Sequence, residues 1–413
     1  MRWLAVTVIV LSACQSSTLT EEASAQPAVA EAAVPAAQAV ESARPTACVD
    51  VTERQSFGPS SGNSRVVCLL DADGDGALDA FVGAFGAADA LYWNDGSGML
   101  LPGPSGSVGR SAGSTFGAAA ADLDGDGRTD LFEVRSDGET NVLHHNLGGR
   151  QGFEASDGGS ATQPAADAYG AASADVDLDG DADLIVVNRG AHNELHLNDG
   201  SGVFSAAPSG PLNSQGGNSR AVTTGDLDGD GDADVVIANW GDNAHAIYMN
   251  QGGAQGGQVA SFDQDQGAEI ARLSAKSGGL ALADLDGDGD LDLAFSHRKG
   301  ETNEVWLNDG AGVFTASSEA LPAGDGGNST DVAAVDLNRD GSADLLILNR
   351  QSAPYLYLND GSASFTACTT VPLAQQALEA TSCAWGDLKG DGGLDLLIVD
   401  ALGTDWHLRV GAK

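Results

Sequence analysis

The chain has 413 residues and carries 59 Asp and Glu against 19 Lys and Arg, a formal charge of −40. That balance excludes nucleic acid as a partner, because phosphate backbones are held by Lys and Arg, and it excludes docking on anionic lipid through a basic patch. A hydrophobic share of 42% is too high for a wholly disordered chain, and 56 glycines without a three-residue period exclude collagen.

In chain order, Met1-Arg2-Trp3 is a short positive start and Leu4 to Leu11 form an apolar run. The run is too short for a bilayer span, which takes about 20 residues, but it suits a signal-peptide core. Leu11-Ser12-Ala13-Cys14 resembles the lipobox of bacterial lipoproteins. That resemblance implies cleavage after residue 13, lipidation of Cys14, and an exported protein that is anchored to the cell envelope. The alternative is an ordinary signal peptide and a secreted protein. Residues 14–47, rich in Ala, Glu and Pro with no aromatic residue, read as a disordered tether, since they bury too little apolar surface to offset ordering.

The rest, residues 48–413, is one unit repeated. D-x-D-x-D-G-x-x-D, or a close variant, starts at Asp71, Asp122, Asp175, Asp226, Asp284, Asp336 and Asp387, separated by 51, 53, 51, 58, 52 and 51 residues. Each copy precedes a short apolar run such as Leu184-Ile185-Val186-Val187, then a strand-like segment ending in a turn such as Asn198-Asp199-Gly200, then an aromatic such as Phe204. Runs this short, bounded by Asn-Asp-Gly, are strands and hairpins. Four antiparallel strands per unit cannot bury both faces alone, so the expected fold is an all-β, seven-bladed β-propeller.

The last unit stops at Trp406 to Val410 without a fourth strand, while Val49 to Phe57 is surplus before the first unit. The N-terminal strand is therefore expected to complete the seventh blade. Apart from Cys14, four cysteines remain, an even number in an exported protein. Of three possible pairings, Cys48–Cys68 with Cys368–Cys383 is preferred, and free buried thiols are the alternative.

Carboxylates at alternate positions, a Gly for the sharp turn and a further Asp suit one hard cation, with Ca²⁺ favoured over Mg²⁺ for a flexible all-oxygen loop. The expected ligands are Asp71, Asp73, Asp75 and Asp79; Asp122, Asp124, Asp126 and Asp130; and Asp175, Asp177, Asp179 and Asp183. They continue with Asp226, Asp228, Asp230 and Asp234; Asp284, Asp286, Asp288 and Asp292; and Asp336, Asn338, Asp340 and Asp344. Zn²⁺ is disfavoured because no His or Cys accompanies the repeat. An EF-hand would need Glu at the twelfth position, present only as Glu133. In the seventh copy Lys389 stands between Asp387 and Asp391, ahead of Asp395. Its ammonium is expected to replace the ion, leaving about six structural Ca²⁺.

These units resemble FG-GAP/VCBS repeats, the repeats of integrin alpha-subunit heads and many bacterial surface proteins. Phe116-Gly117 and Tyr169-Gly170 stand at the family's Phe-Gly, and Gly83-Ala84-Phe85 near its Gly-Ala-Pro. The resemblance implies calcium loops on one propeller face and roles in adhesion, ligand binding or lectin activity. On the other face, Arg135, Arg189, His192, Trp240, Arg298, Lys299 and Arg350 are a candidate cationic and aromatic rim for a protein or carbohydrate at the cell surface. The expected protein is a monomeric, non-catalytic binding module. The alternative is a propeller lyase or hydrolase with its site in the central channel.

Overall fold

A computed structural model describes residues 50–57, 63–110, 112–163, 166–214, 216–252, 260–264, 270, 274–317, 320–322, 326–368 and 378–411. The signal segment, Cys14, the tether and Cys48 lie outside them. Among the described residues no helix is long and apolar enough to cross a membrane.

The strands pair as seven four-stranded antiparallel units. Unit one is β2 (Ser64–Leu70), β3 (Asp79–Ala88), β4 (Ala90–Asn94) and β5 (Leu100–Pro102). Unit two is β6 (Ala112–Ala121), β7 (Asp130–Arg135), β8 (Val142–Asn146) and β9 (Phe153–Ser156). Unit three is β10 (Asp167–Ala174), β11 (Asp183–His192), β12 (Glu194–Asn198) and β13 (Phe204–Ala206). Unit four is β14 (Gly216–Gly225), β15 (Asp234–Ala244), β16 (Ala246–Asn250) and β17 (Phe262–Gln264). Unit five is β18 (Ser274–Ala283), β19 (Asp292–His297), β20 (Glu304–Asn308) and β21 (Phe314–Ala316). Unit six is β22 (Ser329–Val335), β23 (Asp344–Ser352), β24 (Tyr355–Asn359) and β25 (Phe365–Ala367). Unit seven joins β26 (Leu378–Gly386), β27 (Leu394–Asp400) and β28 (Asp405–Gly411) to β1 (Asp50–Phe57), which runs antiparallel to β28 from Asp50↔Gly411 to Phe57↔Asp405.

The second strands carry unbroken apolar runs because both their faces are covered by neighbouring units. Leu184, Ile185, Val186 and Val187 of β11 are all fully buried. Seven apolar clusters follow, one at each junction between units. The closing cluster joins Val67, Leu69 and Tyr92 of unit one to Leu397 and Val399 of unit seven and to Phe57 of β1. The inner strands β2, β6, β10, β14, β18, β22 and β26 each pack on the next, and β26 packs on β2 to close the ring.

Cys68 and Cys368 are disulfide-bonded, whereas Cys383 is a free, buried thiol. The expected Cys368–Cys383 bridge is therefore not formed. Cys383 lies on inner strand β26 with its sulfur 4.0 Å from Asp331 Oδ2, while Cys368 follows the outermost strand of unit six.

Candidate metal loops and a cationic channel mouth

Every Asp loop joins an inner strand to the second strand of its unit, so all seven open on one end of the ring. Asx turns shape them. In the first, Asp71 Oδ1 accepts the Gly74 N–H at 2.8 Å and Oδ2 the Gly76 N–H at 3.0 Å, while Asp73 Oδ1 accepts the Asp75 N–H at 3.1 Å. Gly74 and Gly76 adopt φ of +75° and +88°, a backbone that side chains resist.

The ninth-position carboxylates, Asp79, Asp130, Asp183, Asp234, Asp292, Asp344 and Asp395, are fully buried. In unit one Asp79 Oδ2 accepts the Ala72 N–H at 3.0 Å and Oδ1 the Asn94 N–H at 2.7 Å. Burial first, with nearby loop carboxylates adding, pushes Asp79, Asp183, Asp234, Asp292 and Asp344 up to about 7. The Asn that caps this Asp also ties units together. Asn94 Nδ2 donates to Leu388 O of unit seven (2.6 Å), Asn198 to Leu123 O (2.9 Å), Asn250 to Val176 O (2.8 Å), Asn308 to Leu227 O (2.8 Å) and Asn359 to Leu285 O (2.7 Å).

Donor oxygens converge in threes in the first four loops. Single oxygens from Asp71, Asp73 and Asp79 lie within 4.8 Å of one another, as do those of Asp122, Asp124 and Asp126, of Asp175, Asp177 and Asp183, and of Asp226, Asp228 and Asp230. Asp177 Oδ1, Asp230 Oδ2 and both oxygens of Asp232 are buried without a hydrogen-bond donor. Orphaned carboxylate oxygens fit a hard cation. Asp181, Asp232 and Asp290 at the seventh position escaped the sequence reading, though the D-G-D spelling of the third to fifth loops shows them.

Three loops depart from the pattern. His145 Nδ1 lies 3.1 Å from Asp124 Oδ2 and 3.5 Å from Asp130 Oδ2, so a His does accompany one repeat, delivered by β8 rather than by the loop itself. Arg128 pairs with Asp126 in the same loop. From unit two, Arg150 Nε reaches Asp73 Oδ2 of unit one at 2.9 Å. In the seventh loop Lys389 does not sit between the carboxylates. Its Nζ bonds Glu53 of β1 at 2.8 Å, and the guanidinium of Arg409 on β28 takes the inner place, 2.6 Å from Asp395 Oδ2 and paired also with Asp391. His407 Nε2 lies 2.8 Å from Asp395 Oδ1. The cation standing in at this loop is thus Arg409, not Lys389.

At the opposite end, one register irregularity recurs in all seven inner strands, between Ser64 and Val66, Thr115 and Gly117, Ala168 and Gly170, Ser219 and Ala221, Ser277 and Gly279, Ser329 and Asp331, and Ala380 and Ser382. A bulge re-aims the extra residue. Those residues, Arg65, Phe116, Tyr169, Arg220, Gly278, Thr330 and Thr381, line one cavity at the channel mouth. Each precedes the first Asp of its loop by six positions, about 20 Å of strand. Gly117 is required beside it, because a Cβ there would lie 2.9 Å from Gly170 Cα of the next inner strand.

Aromatic plates hold the arginines. Arg65 lies over Phe85 (5.3 Å) and Phe116 (5.8 Å), and Arg220 between Tyr169 (4.2 Å) and Trp240 (4.8 Å). Arg298 and Lys299 also lie over Trp240, at 5.3 and 5.4 Å. Of the expected rim, Arg135 pairs with Glu133 (2.8 Å), Arg189 with Asp167 (2.6 Å) and Arg350 with Glu379 (2.9 Å), and exposed His192 lies with Arg189 in a separate depression. Arg65 and Arg220 were not among the expected rim because they lie on inner strands rather than connecting loops, in the slot of Phe116 and Tyr169.

Ser–His–Glu chains also occur, joined by hydrogen bonds throughout only in unit three. Ser107 Oγ is 2.6 Å from His144 Nδ1, whose Nε2 is 3.0 Å from Glu133 Oε1. In unit three Ser160 Oγ is 2.8 Å from His196 Nδ1, whose Nε2 is 3.1 Å from Glu194 Oε2.

The FG-GAP-like repeat model matches residues 71–133, 122–186, 175–237, 227–295, 284–347 and 336–398, which together run without a gap through most of the chain. The chain belongs to the FG-GAP repeat β-propeller family. No curated protein matches it significantly. Among solved structures it is similar to an Agrocybe aegerita lectin described as recognising non-reducing terminal N-acetylglucosamine, at 23% identity and a TM-score of 0.53, over 75% of this chain and 81% of the lectin. It is also similar to a chain of the BBS1N–ARL6DN complex soaked with mercury, at 12% identity and a TM-score of 0.53, over 88% of this chain and 97% of that one. At these identities the likeness concerns the fold.

Proposed function

We propose that the chain is a non-catalytic binding module of the cell surface, anchored through Cys14, whose ligand face is the channel mouth and whose Asp loops hold structural Ca²⁺. The observation that carries the binding reading is the mouth itself. Four successive units place arginines and aromatic plates around one cavity, and among the described residues Arg65, Arg220 and Arg298 have no carboxylate partner. The lectin neighbour supports the use of this scaffold for recognition. For calcium, the support is the orphaned oxygens of Asp177, Asp230 and Asp232. The first to sixth loops would hold the ion, with the fifth carboxylates Asp181, Asp232 and Asp290 strengthening three of them. Bound there, Ca²⁺ would neutralise carboxylates that otherwise repel.

The test is capture of glycans and envelope proteins by the immobilised ectodomain, with and without chelator, beside the Arg65→Met/Arg220→Met variant. Ligands lost on the variant support this face as the site. Ligands bound equally by both overturn it.

A second reading is favoured by one observation. The Ser160–His196–Glu194 chain lines an open depression, and it has the relations of a hydrolase triad. Its twin in unit two, with His144 only 2% exposed, has the form of a packing contact between units, which places the enzyme reading second. Labelling of Ser160 by a fluorophosphonate, abolished in Ser160→Ala, would establish the hydrolase.

A further inference from the structure

We propose that the channel mouth is a carboxylate-binding site, taking a single anionic group carried by a free acid or by the C-terminus of a peptide. This rests on the binding-module reading and specifies its ligand chemistry.

Three cationic side chains stand near one another with no ion pair to a carboxylate among the described residues, Glu379 and Asp167 acting on Arg65 and Arg220 only from a distance. Each guanidinium is half-buried, and beyond that burial Arg65 senses Arg350 as a like charge, Arg220 senses Arg189, and Arg298 senses Arg350, Arg220 and Arg65. Such an arrangement is unfavourable by itself, and a bound anion would relieve it. The only described carboxylates nearby are engaged elsewhere. Glu379 holds Arg350, Asp167 holds Arg189, and Asp331 on the cavity wall accepts the N–H groups of Val332 (2.9 Å) and Cys383 (3.2 Å).

The geometry of the plates selects the kind of anion. Phe85, Phe116, Tyr169 and Trp240 stand beneath the guanidinium carbons, and a guanidinium stacked on a ring keeps its in-plane N–H fork for an acceptor. That fork matches a planar carboxylate. The Nε atoms of Arg65 and Arg220 are buried without an acceptor, so donors are already in place. On the far side of the mouth the bulged residues are Gly278, Thr330 and Thr381, whose small size leaves the cavity open from that direction. The Thr hydroxyls are spent on Ala380 O (2.8 Å) and Ser64 O (2.9 Å), leaving the arginines to choose the ligand.

Size and field exclude larger polyanions. The cavity measures about 90 Å³, room for one small group rather than a sugar chain. The protein's charge of −40 repels a ligand in proportion to the ligand's own charge. A singly charged group meets the least repulsion for the same contact with the arginines.

The test uses the full chain with Ca²⁺ present. It is titrated with an N-acetylated tripeptide bearing a free C-terminus, with the same tripeptide as its amide, and with acetate, reading Tm and Trp fluorescence. The free acid should bind saturably and raise Tm with concentration, and the amide should bind at least tenfold more weakly. Acetate binding as well as the tripeptide acid assigns the site to free acids, and a large advantage for the tripeptide assigns it to chain termini. Arg65→Met and Arg220→Met should each weaken the acid at least tenfold, whereas Arg110→Met, outside the mouth, should stay within twofold. Equal binding of acid and amide, or no saturable binding of any carboxylate, overturns the proposal, and the wild-type comparison needs no variant to fold. If capture of some other ligand is still abolished by Arg220→Met, the binding-module reading survives while the carboxylate inference fails.

Discussion

Units one to six and unit seven solve the same problem in different ways. In the first six, an Asp loop carries three or more carboxylates around the point at which we propose a Ca²⁺, and the capping Asn ties most of them to a neighbouring loop. Unit seven has the same loop spelling and the same buried ninth Asp, yet Arg409 occupies that point and Val410 stands where the others have Asn. It is also the unit assembled from both ends of the described chain. A junction whose closure depends on β1 gains from a cation that is covalently part of β28, because a guanidinium cannot dissociate into solvent.

The most severe way to probe this difference is to remove residues 48–57. Unit seven then loses its outer strand and Phe57 leaves the closing cluster. The expected outcome is loss of cooperative unfolding for the whole ring, measured by thermal denaturation, and a native-like melt would contradict closure by β1.

Chelation should come next in size. With dissociation constants near 0.1 mM and about 1 mM Ca²⁺, each proposed site would contribute roughly 1.4 kcal/mol, and six would amount to about 8 kcal/mol. Tm should fall steeply in EDTA, and elemental analysis of the loaded protein should find six ions rather than seven. Arg409→Met attacks the other side of the comparison. It leaves Asp395 buried without its cation, a loss of about 3 kcal/mol, and chemical denaturation should find the same loss with and without EDTA.

The comparison is sharpened by conversion. Lys389→Asp with Arg409→Leu gives the seventh loop the composition of the others, and calorimetry should then count one more Ca²⁺, worth roughly 1.4 kcal/mol. An unchanged ion count would mean that loop composition alone does not make the site. A pH-dependent probe concerns Asp331, which accepts the Cys383 N–H across the junction of units six and seven. Burial raises it from 3.8 to about 7. The folded state therefore holds a proton that the unfolded state releases, so stability falls as pH rises from about 4 to 7. Asp331→Asn should flatten that part of the pH–stability curve, and an unaltered slope would show that Asp331 does not titrate there.

Much of this was readable beforehand for a physical reason. The Asp loop is a local object whose turns are made by residues two to five positions apart, as Asp71 with Gly74 and Gly76 shows. Strand periodicity and the Asn-Asp-Gly turns are local too, so the repeat and the surplus N-terminal strand could be read from spacing. What went astray involved partners on other strands. Lys389 was assigned to the seventh loop by adjacency in sequence, but Glu53 lies 336 positions away and pulls it outward. His145 and Arg150 enter the second and first loops from β8 and the turn after it. Cys383 lacks the expected bridge and has its sulfur 4.0 Å from Asp331 Oδ2, on a strand of the preceding unit, instead.

Order along the chain was enough to establish a ring of alike units, the end at which the carboxylate loops open and the residue types that crowd there, since each follows from contacts within one hairpin. Which cation faces which carboxylate, and that Arg65, Phe116, Tyr169 and Arg220 meet at one mouth, arose only when seven bulged strands were set side by side. Charges about fifty residues apart have no relation until packing brings them within a few ångströms, and there the neighbour in space outweighs the neighbour in sequence.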